Sequence, residues 1–300
     1  MAEKQKHLIV ICGPTAVGKT VLAIELAKLF NTEIISADSR QFYREMNIGT
    51  AKPTNEELAQ VPHHFVNNLS IHQKHYSAGK YETDVLVFLD HFFQTHDTAI
   101  MVGGSGLFIN AVCSGFDQME TAEPEQLATT RALLNSKDLA WLQSEVERLD
   151  PEYFAKVDKK NPVRLKRALE VIYTTGKKYS EQRIGKKIER PFRITKIGLQ
   201  LPREVLYERI NNRVDAMMQN GLLEEAKELY TYKKLPALNT VGYTELFDFL
   251  EDKLTLAQAV ELIKQNTRNY AKRQMTWFRK DEEVKWFEAE DKERITDFIN

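Results

Sequence analysis

Near its start the chain carries GPTAVGKT, Gly13–Thr20, a full match to the G-x-x-x-x-G-K-[ST] pattern of a phosphate-binding loop. The chemistry this pattern supports is specific. Consecutive backbone N–H groups and the positive end of a following helix face an anion, and the two glycines let the backbone come close to it. Lys19 reaches terminal phosphate oxygens, and the Thr20 hydroxyl binds Mg2+. Gly13, Pro14, Thr15, Ala16, Val17, Gly18, Lys19 and Thr20 are therefore the expected diphosphate site. Such a loop recognises a diphosphate and not a nucleotide, so ATP is the default occupant by frequency only. A phosphoryl-transfer enzyme usually adds an acidic residue after a buried strand. Asp38, at the end of EIISAD, is the strong candidate. Phosphate chemistry alone leaves a kinase and a diphosphate-expelling transferase both open.

The loop needs a strand before it and a helix after it, and the sequence supplies both. HLIVIC (His7–Cys12) is a short apolar run of the kind that forms a buried parallel strand, and Thr20–Phe30 has helical spacing. EIISAD (Glu33–Asp38) and TAIMVGG (Thr98–Gly104) read as further strands. Between them, Thr54 and Glu57 predict a capping box, and Tyr81, Val85, Leu89 and Phe92 predict one apolar face of a helix near Gly79–Thr95. Alternating strand, loop and helix predict an α/β fold: a parallel sheet flanked by helices, begun by residues 1–115. Residues 116–190 change character and predict a mainly helical insertion, clearest over Asp138–Leu149 and Pro162–Thr175. Residues 191–300 return to the core. RITKIGLQL (Arg193–Leu201) is a strand, Pro202 opens a helix through Met218, Thr255 and Gln258 cap a helix to about Lys280, and VKWFE (Val284–Glu288) is a last edge strand.

The 300 residues, 42% hydrophobic and 28% charged, suit one large or two modest globular domains. Two cysteines, Cys12 and Cys113, leave no disulfide framework and no Cys-rich zinc site, and fit a reducing cytoplasm. No apolar run is long enough to span a bilayer, and the N-terminal apolar run leads straight into the loop as a first strand. The net charge of −1 hides an uneven spread. Asp150–Arg190 holds twelve Lys/Arg against six Asp/Glu, and Lys264–Lys280 holds six Lys/Arg and no acid. Basic charge gathered on an otherwise acidic chain points to a polyanion partner, although either segment alone could be a solvated helix face.

Several stretches together resemble one family, the tRNA dimethylallyltransferases, also called tRNA isopentenyltransferases. They are GPTAVGKT, SADSRQFYREMNIGTAKP (Ser36–Pro53), VPHHFV (Val61–Val66), VGGSGLF (Val102–Phe108) and NPVRLKRALEV (Asn161–Val171). The arginine pair Arg209 and Arg213, TVGYTE (Thr240–Glu245) and YAKRQMTWFR (Tyr270–Arg279) complete the order over nearly the whole chain. The resemblance implies a fold like that of phosphate-loop NTPases and a reaction in which a dimethylallyl group moves from dimethylallyl diphosphate to N6 of an adenine. In the family that adenine is position 37 of tRNAs reading codons that start with U. It implies Mg2+ as cofactor, and tRNA through its anticodon stem-loop as partner. A cytoplasmic monomer is expected. The last core element lies close to residue 300, without the zinc-finger tail of some eukaryotic relatives, and so a bacterial type is expected.

Roles follow residue by residue from that resemblance. Asp38 is the implied base that takes the N6 proton; a helix cap or an outer contact of the metal is the plain alternative. Ser105 stands where the family has threonine and keeps the hydroxyl without the methyl; it could equally cap a helix. The family places an arginine of the Arg209/Arg213 helix on the diphosphate, and Arg209 is the favoured one, against a surface pair. Asp38, Ser39, Arg40, Gln41 and Ser105 are expected to meet the flipped-out adenine or its neighbours. Lys160, Asn161, Pro162, Val163, Arg164 and Arg167, with Lys166 beside them, are expected to hold RNA backbone. So are Lys264, Arg268 and Lys272, which recur every four residues on one helix. His63 and His64 lack partners at ligand spacing and read as structural or RNA-proximal. Trp141, Trp277 and Trp286 read as core.

Overall fold

A computed structural model describes residues 5–73, 76–117, 122–183, 185 and 187–300. The strands β1 (His7–Cys12), β2 (Ile34–Ser36), β3 (His63–His64), β4 (Thr98–Gly103), β5 (Arg193–Gln200) and β6 (Val284–Glu288) form one sheet. Their order is β3-β2-β4-β1-β5-β6, and every strand pairing among the described residues is parallel. Strand β1 is central, with Ile9 opposite Ile100 on one side and Thr195 on the other.

Strands β1, β2 and β4 are near-continuous apolar runs because both sheet faces are covered there. Leu8, Val10 and Cys12 point into one cluster, and Ile9 and Ile11 into the other. The first cluster is closed by α3 (Ala78–Phe92), whose Tyr81, Val85 and Leu89 are buried as their spacing predicts. The second is closed by α1 (Lys19–Leu29), through Leu22, Ala23 and Leu26. Helix α2 (Asn55–Gln60) carries the predicted Thr54–Glu57 capping box, and α4 (Gly106–Ser114) follows β4.

The chain divides into two compact units, Met1–Ser114 with Arg190–Asn300, and Gly115–Glu189. The second holds α5 (Pro124–Asn135), α6 (Leu139–Leu149), α7 (Pro151–Lys156), α8 (Pro162–Thr175) and α9 (Tyr179–Gln182), with no strand among the described residues. Its own core includes Leu142, Val146, Phe154, Leu165 and Leu169. The buried Asp150 carboxylate joins its helices. It accepts the Tyr153 amide at 3.0 Å, capping α7, and both the amide and the hydroxyl of Ser180, each at 2.7 Å.

After β5 come α10 (Arg203–Gln219), α11 (Leu222–Leu229), α12 (Tyr243–Leu250), α13 (Leu256–Phe278) and α14 (Lys292–Ile299). Helices α10 to α13 build a further cluster around Met46, Leu222, Tyr243, Leu246 and Ile263, which local periodicity does not announce. The Thr255–Gln258 capping box and the β6 edge strand stand as predicted. No helix of the described residues is long and apolar enough to cross a membrane.

The Asp150 hub generates a test. Asp150→Ala leaves three donors in or near the insertion core without their acceptor. The loss expected is about 3 kcal/mol, from one helix cap and buried hydrogen bonds to a charged acceptor. Hydrogen exchange should show faster exchange across α7 to α9 and unchanged protection in β1 and β4.

Candidate active site

The phosphate loop leaves β1 at Gly13, whose φ is +139°. A Cβ there would lie 2.6 Å from the Leu199 carbonyl oxygen of β5, so the neighbouring strand excludes any side chain. Gly18, at φ +106°, turns the chain into α1 with no side-chain cap on that helix start. The unpaired amides of the first turn are thus available to an anion. Lys19 folds back over the loop and donates to the Pro14 carbonyl at 2.7 Å.

The loop is fastened from α13 and α10. Gln274 accepts the Thr15 amide at 2.9 Å and donates to the Gly104 carbonyl at 2.9 Å, so one side chain bridges the loop and the end of β4. A Cβ on Gly104 would sit 2.2 Å from the Gln274 amide nitrogen, which is why glycine stands there. Arg213 reaches the Thr15 hydroxyl at 3.2 Å and the Ala51 carbonyl at 3.3 Å. Gln41 donates to the same carbonyl at 3.1 Å and accepts from the Ser36 hydroxyl at 3.0 Å. The loop carrying Ala51 is held from behind by Glu225. Its carboxylate accepts the amides of Asn47, Ile48 and Gly49, each at 2.9 Å, and the Tyr243 hydroxyl at 2.7 Å.

Two cavities of about 240 Å³ each open on this frame. The first is lined by the loop, with Lys19, Thr20, Ser36 and Gln274. The second is lined by Ser39, Arg40, Thr240, Val241, Gly242 and Thr267. Asp38, Thr15, Arg213 and Tyr270 line both. Asp38, just past β2, accepts the Arg40 amide at 2.9 Å, which fixes its carboxylate. Ser105 accepts the Ser39 amide at 3.0 Å and donates to the Ser39 hydroxyl at 3.3 Å. Burial, and then the Asp38 charge, push the Tyr270 phenol up to about 12, so it stays a hydrogen-bond donor. Burial, and then the Arg213 guanidinium, push Lys19 down to about 8, against the pull of Asp38. Two cations and one carboxylate therefore share a wall, and an arriving diphosphate would relieve the repulsion between the cations.

The structure corrects some expected residues. Arg213 reaches the loop and Arg209 does not: Arg209 lies 3.7 Å from Glu290, is 43% exposed and lines neither cavity. One helical turn decides this, because α10 runs past the loop and only its later arginine comes level with Thr15. Arg40 lines the second cavity, but its guanidinium donates to the carbonyls of Pro236, Ala237 and Asn239 at 3.0–3.3 Å. Lys264 does not stand free on a stripe. It is largely covered and pairs with Asp215 of α10 at 2.8 Å and with Glu261 at 3.3 Å. Arg268 donates to Asn211 at 2.6 Å. Lys272, beside Arg273, Trp277 and Lys280, borders an open cavity. Trp277 is not core: it is 39% exposed and lies against Gly106. On the insertion, Arg167 and Arg131 both pair with the buried Glu170, and Lys166 donates to Asn135 at 2.9 Å. His64 pairs with Glu33, and His63 donates to the Val61 carbonyl at 2.8 Å and lines the loop cavity. Gln274, Tyr270 and Glu225 are the residues that motif spacing did not single out.

The sheet, its loop and this cradle are those of a phosphate-loop protein. A family model described as IPP transferase matches residues 41–281. The tRNA dimethylallyltransferase of Christiangramia forsetii is 51% identical over 98% of this chain and 97% of its own length. The tRNA dimethylallyltransferase 1 of Phocaeicola vulgatus is 49% identical over 98% and 97%. The crystal structure of the full-length tRNA isopentenylpyrophosphate transferase of Bacillus halodurans superposes with a TM-score of 0.72 at 36% identity, covering 99% of this chain and 95% of that one. A eukaryotic dimethylallyltransferase acting on tRNA gives 0.76 at 31% identity, over 91% of this chain and 69% of that one. The chain belongs to the IPP transferase family, the tRNA dimethylallyltransferases.

The depressed Lys19 predicts that diphosphate binding at the loop depends on pH. Below about pH 8 the ammonium is already present; above it the free protein loses that proton while the complex keeps it. Pyrophosphate affinity should be flat up to about pH 8 and then fall by up to about tenfold per pH unit, with proton uptake visible in buffers of different ionisation enthalpy. Lys19→Met should bind pyrophosphate more weakly and lose that pH dependence. A flat wild-type profile to pH 9.5 would contradict the assignment.

Proposed function

We propose that this chain transfers a dimethylallyl group from dimethylallyl diphosphate to N6 of adenine 37 in tRNAs that read codons starting with U, releasing diphosphate. The observation that carries this reading is the position of Asp38. It lines both the phosphate-loop cavity and the neighbouring one, so a carboxylate stands where a donor and an acceptor base would meet.

In the reaction the N6 lone pair forms a bond to C1 of the dimethylallyl group. The C1–O bond breaks and its electron pair leaves with the diphosphate. The N6 proton passes to the Asp38 carboxylate, whose second-cavity side faces the acceptor. Lys19, Arg213 and the loop amides hold the growing negative charge of the leaving group in a prearranged field. Ser105, through Ser39, and the Tyr270 hydroxyl hold the acceptor side in place.

The residues fit a divalent cation shared with the donor. No cluster of three or more His, Cys, Asp or Glu side chains among the described residues could hold a metal alone. The Thr20 hydroxyl, at the cavity beside Lys19, offers a hard oxygen ligand whose remaining partners would be diphosphate oxygens and water. Mg2+ bound there would neutralise charge on the leaving diphosphate. The kinase reading is not favoured: the chain's relatives are prenyltransferases over nearly their full length. Cations on the insertion and on the second half of α13 would grip RNA backbone. Two buried free thiols, Cys12 and Cys113, fit a cytoplasmic setting, and we take the enzyme to act as a monomer.

Asp38→Asn should keep donor and tRNA affinity and lower single-turnover transfer by a factor on the order of 10²–10⁴, the usual worth of a positioned base. Near-normal transfer would remove Asp38 from this role. Thermal shift separates donors: dimethylallyl diphosphate with Mg2+ and tRNA should raise the unfolding temperature strongly, and ATP weakly. The reverse order would restore the kinase.

A further inference from the structure

Around the loop cavity, Ser36, Gln41, Arg213 and Gln274 are all engaged in hydrogen bonds. His63 keeps one nitrogen free. Its Nδ1 meets the Val61 carbonyl at 2.8 Å, and a carbonyl only accepts, so the proton sits on Nδ1. Its Nε2 is buried and has no hydrogen-bond partner among the described residues. The ring borders the cavity together with Thr20, Val21 and Pro53.

The strand sets where the ring points. His63 pairs with Ile34 of β2, and Ile34 belongs to the cluster that α1 closes. Side chains alternate along a strand, so His63 lies on the α1 side and His64 on the other, against Phe88 and Phe92. Thr20 stands in the first turn of α1, on the side of the sheet that His63 faces. Burial lowers the imidazole pKa, against the Val61 carbonyl and the Glu57 charge, so the ring is neutral and Nε2 is a bare acceptor. An ionised diphosphate has acceptors only, and a hydrocarbon tail has no donor, so neither can meet that lone pair. A hydrated divalent cation can. Mg2+ keeps several of its waters, and their protons point away from the metal. An acceptor left unmet in a buried wall costs free energy, and an outer hydrogen bond of this kind holds a metal in place.

We infer that His63 Nε2 accepts a hydrogen bond from a water of the divalent cation held between Thr20 and the diphosphate. His63 is thus a positioning residue: it touches the cation's water and neither the donor nor the metal. The inference rests on the proposed function only in placing a divalent cation beside Thr20.

The test uses the full chain and pyrophosphate affinity, measured by calorimetry across a Mg2+ series and in EDTA. His63→Phe keeps a ring and removes both nitrogens. His63→Asn reaches only the Nδ1 position, and His63→Gln carries an acceptor oxygen to the Nε2 position. The Mg2+ concentration giving half of the affinity gain should rise on the order of tenfold in the Phe and Asn variants and stay within about threefold of wild type in His63→Gln. Affinity in EDTA should be the same in all four proteins, and melting curves report whether each is folded. With Mn2+ in place of Mg2+, electron spin echo should show no nitrogen bonded directly to the metal. An unchanged midpoint in His63→Phe, or an equal rise in all three variants, would overturn the inference. So would an equal loss in EDTA, which would place the ring's effect on the loop itself, and so would a metal-bonded ring nitrogen. A wild type whose pyrophosphate affinity ignores Mg2+ would instead fail the cation of the proposed function, and the inference with it.

Discussion

The active site depends on the amide of Gln274. One side chain accepts from the Thr15 amide and donates to the Gly104 carbonyl, so α13 fixes the phosphate loop against the end of β4. Without a side chain at Gly104 the bridge can form, and with one it cannot. Arg213 then reaches the Thr15 hydroxyl and the Ala51 carbonyl, which brings the loop after β2 to the same wall. Lys19, Arg213 and Asp38 stand together only because these neutral hydrogen bonds hold the backbone around them. The arrangement favours an anion arriving with its charge, which would offset the burial and the Arg213 charge that lower Lys19 to about 8.

In the proposed reaction the two cavities would divide the work that a group transfer needs. The loop cavity offers amides and cations, which suit a leaving diphosphate. The second offers Thr240, Val241 and Gly242 beside Tyr270, a mixed wall that suits a planar base. Glu225 secures the loop between them by accepting three successive amides, so the partition rests on one carboxylate of α11. That helix belongs to the cluster around Leu222 and Tyr243, so the C-terminal lobe is part of the site's frame.

Much of this was legible in the sequence where the governing forces are local. The buried runs of β1, β4 and β5, the apolar face of α3 and the capping boxes at Thr54 and Thr255 follow from periodicity and end chemistry within a few residues. The phosphate loop was legible because its backbone geometry demands particular residues. Strand β3 was not, since two residues paired to β2 carry no period. Arg213 could not be told from Arg209, because their spacing is shared and only the packing of α10 separates them. The stripe at Lys264 failed for the same reason: its neutralising Asp215 is nearly fifty residues away in sequence and adjacent only in the fold. Gln274 and Glu225 are ordinary polar residues whose roles exist only through long-range backbone partners.

The most direct measurement is mass spectrometry of tRNA nucleosides after incubation of the purified protein with unmodified tRNA, dimethylallyl diphosphate and Mg2+. The expected result is N6-(dimethylallyl)adenosine confined to position 37 of tRNAs reading U-initial codons, with one diphosphate released per group transferred. Unmodified adenosine at that position, or diphosphate release with no nucleoside product, would contradict the reading of Asp38 and the two cavities.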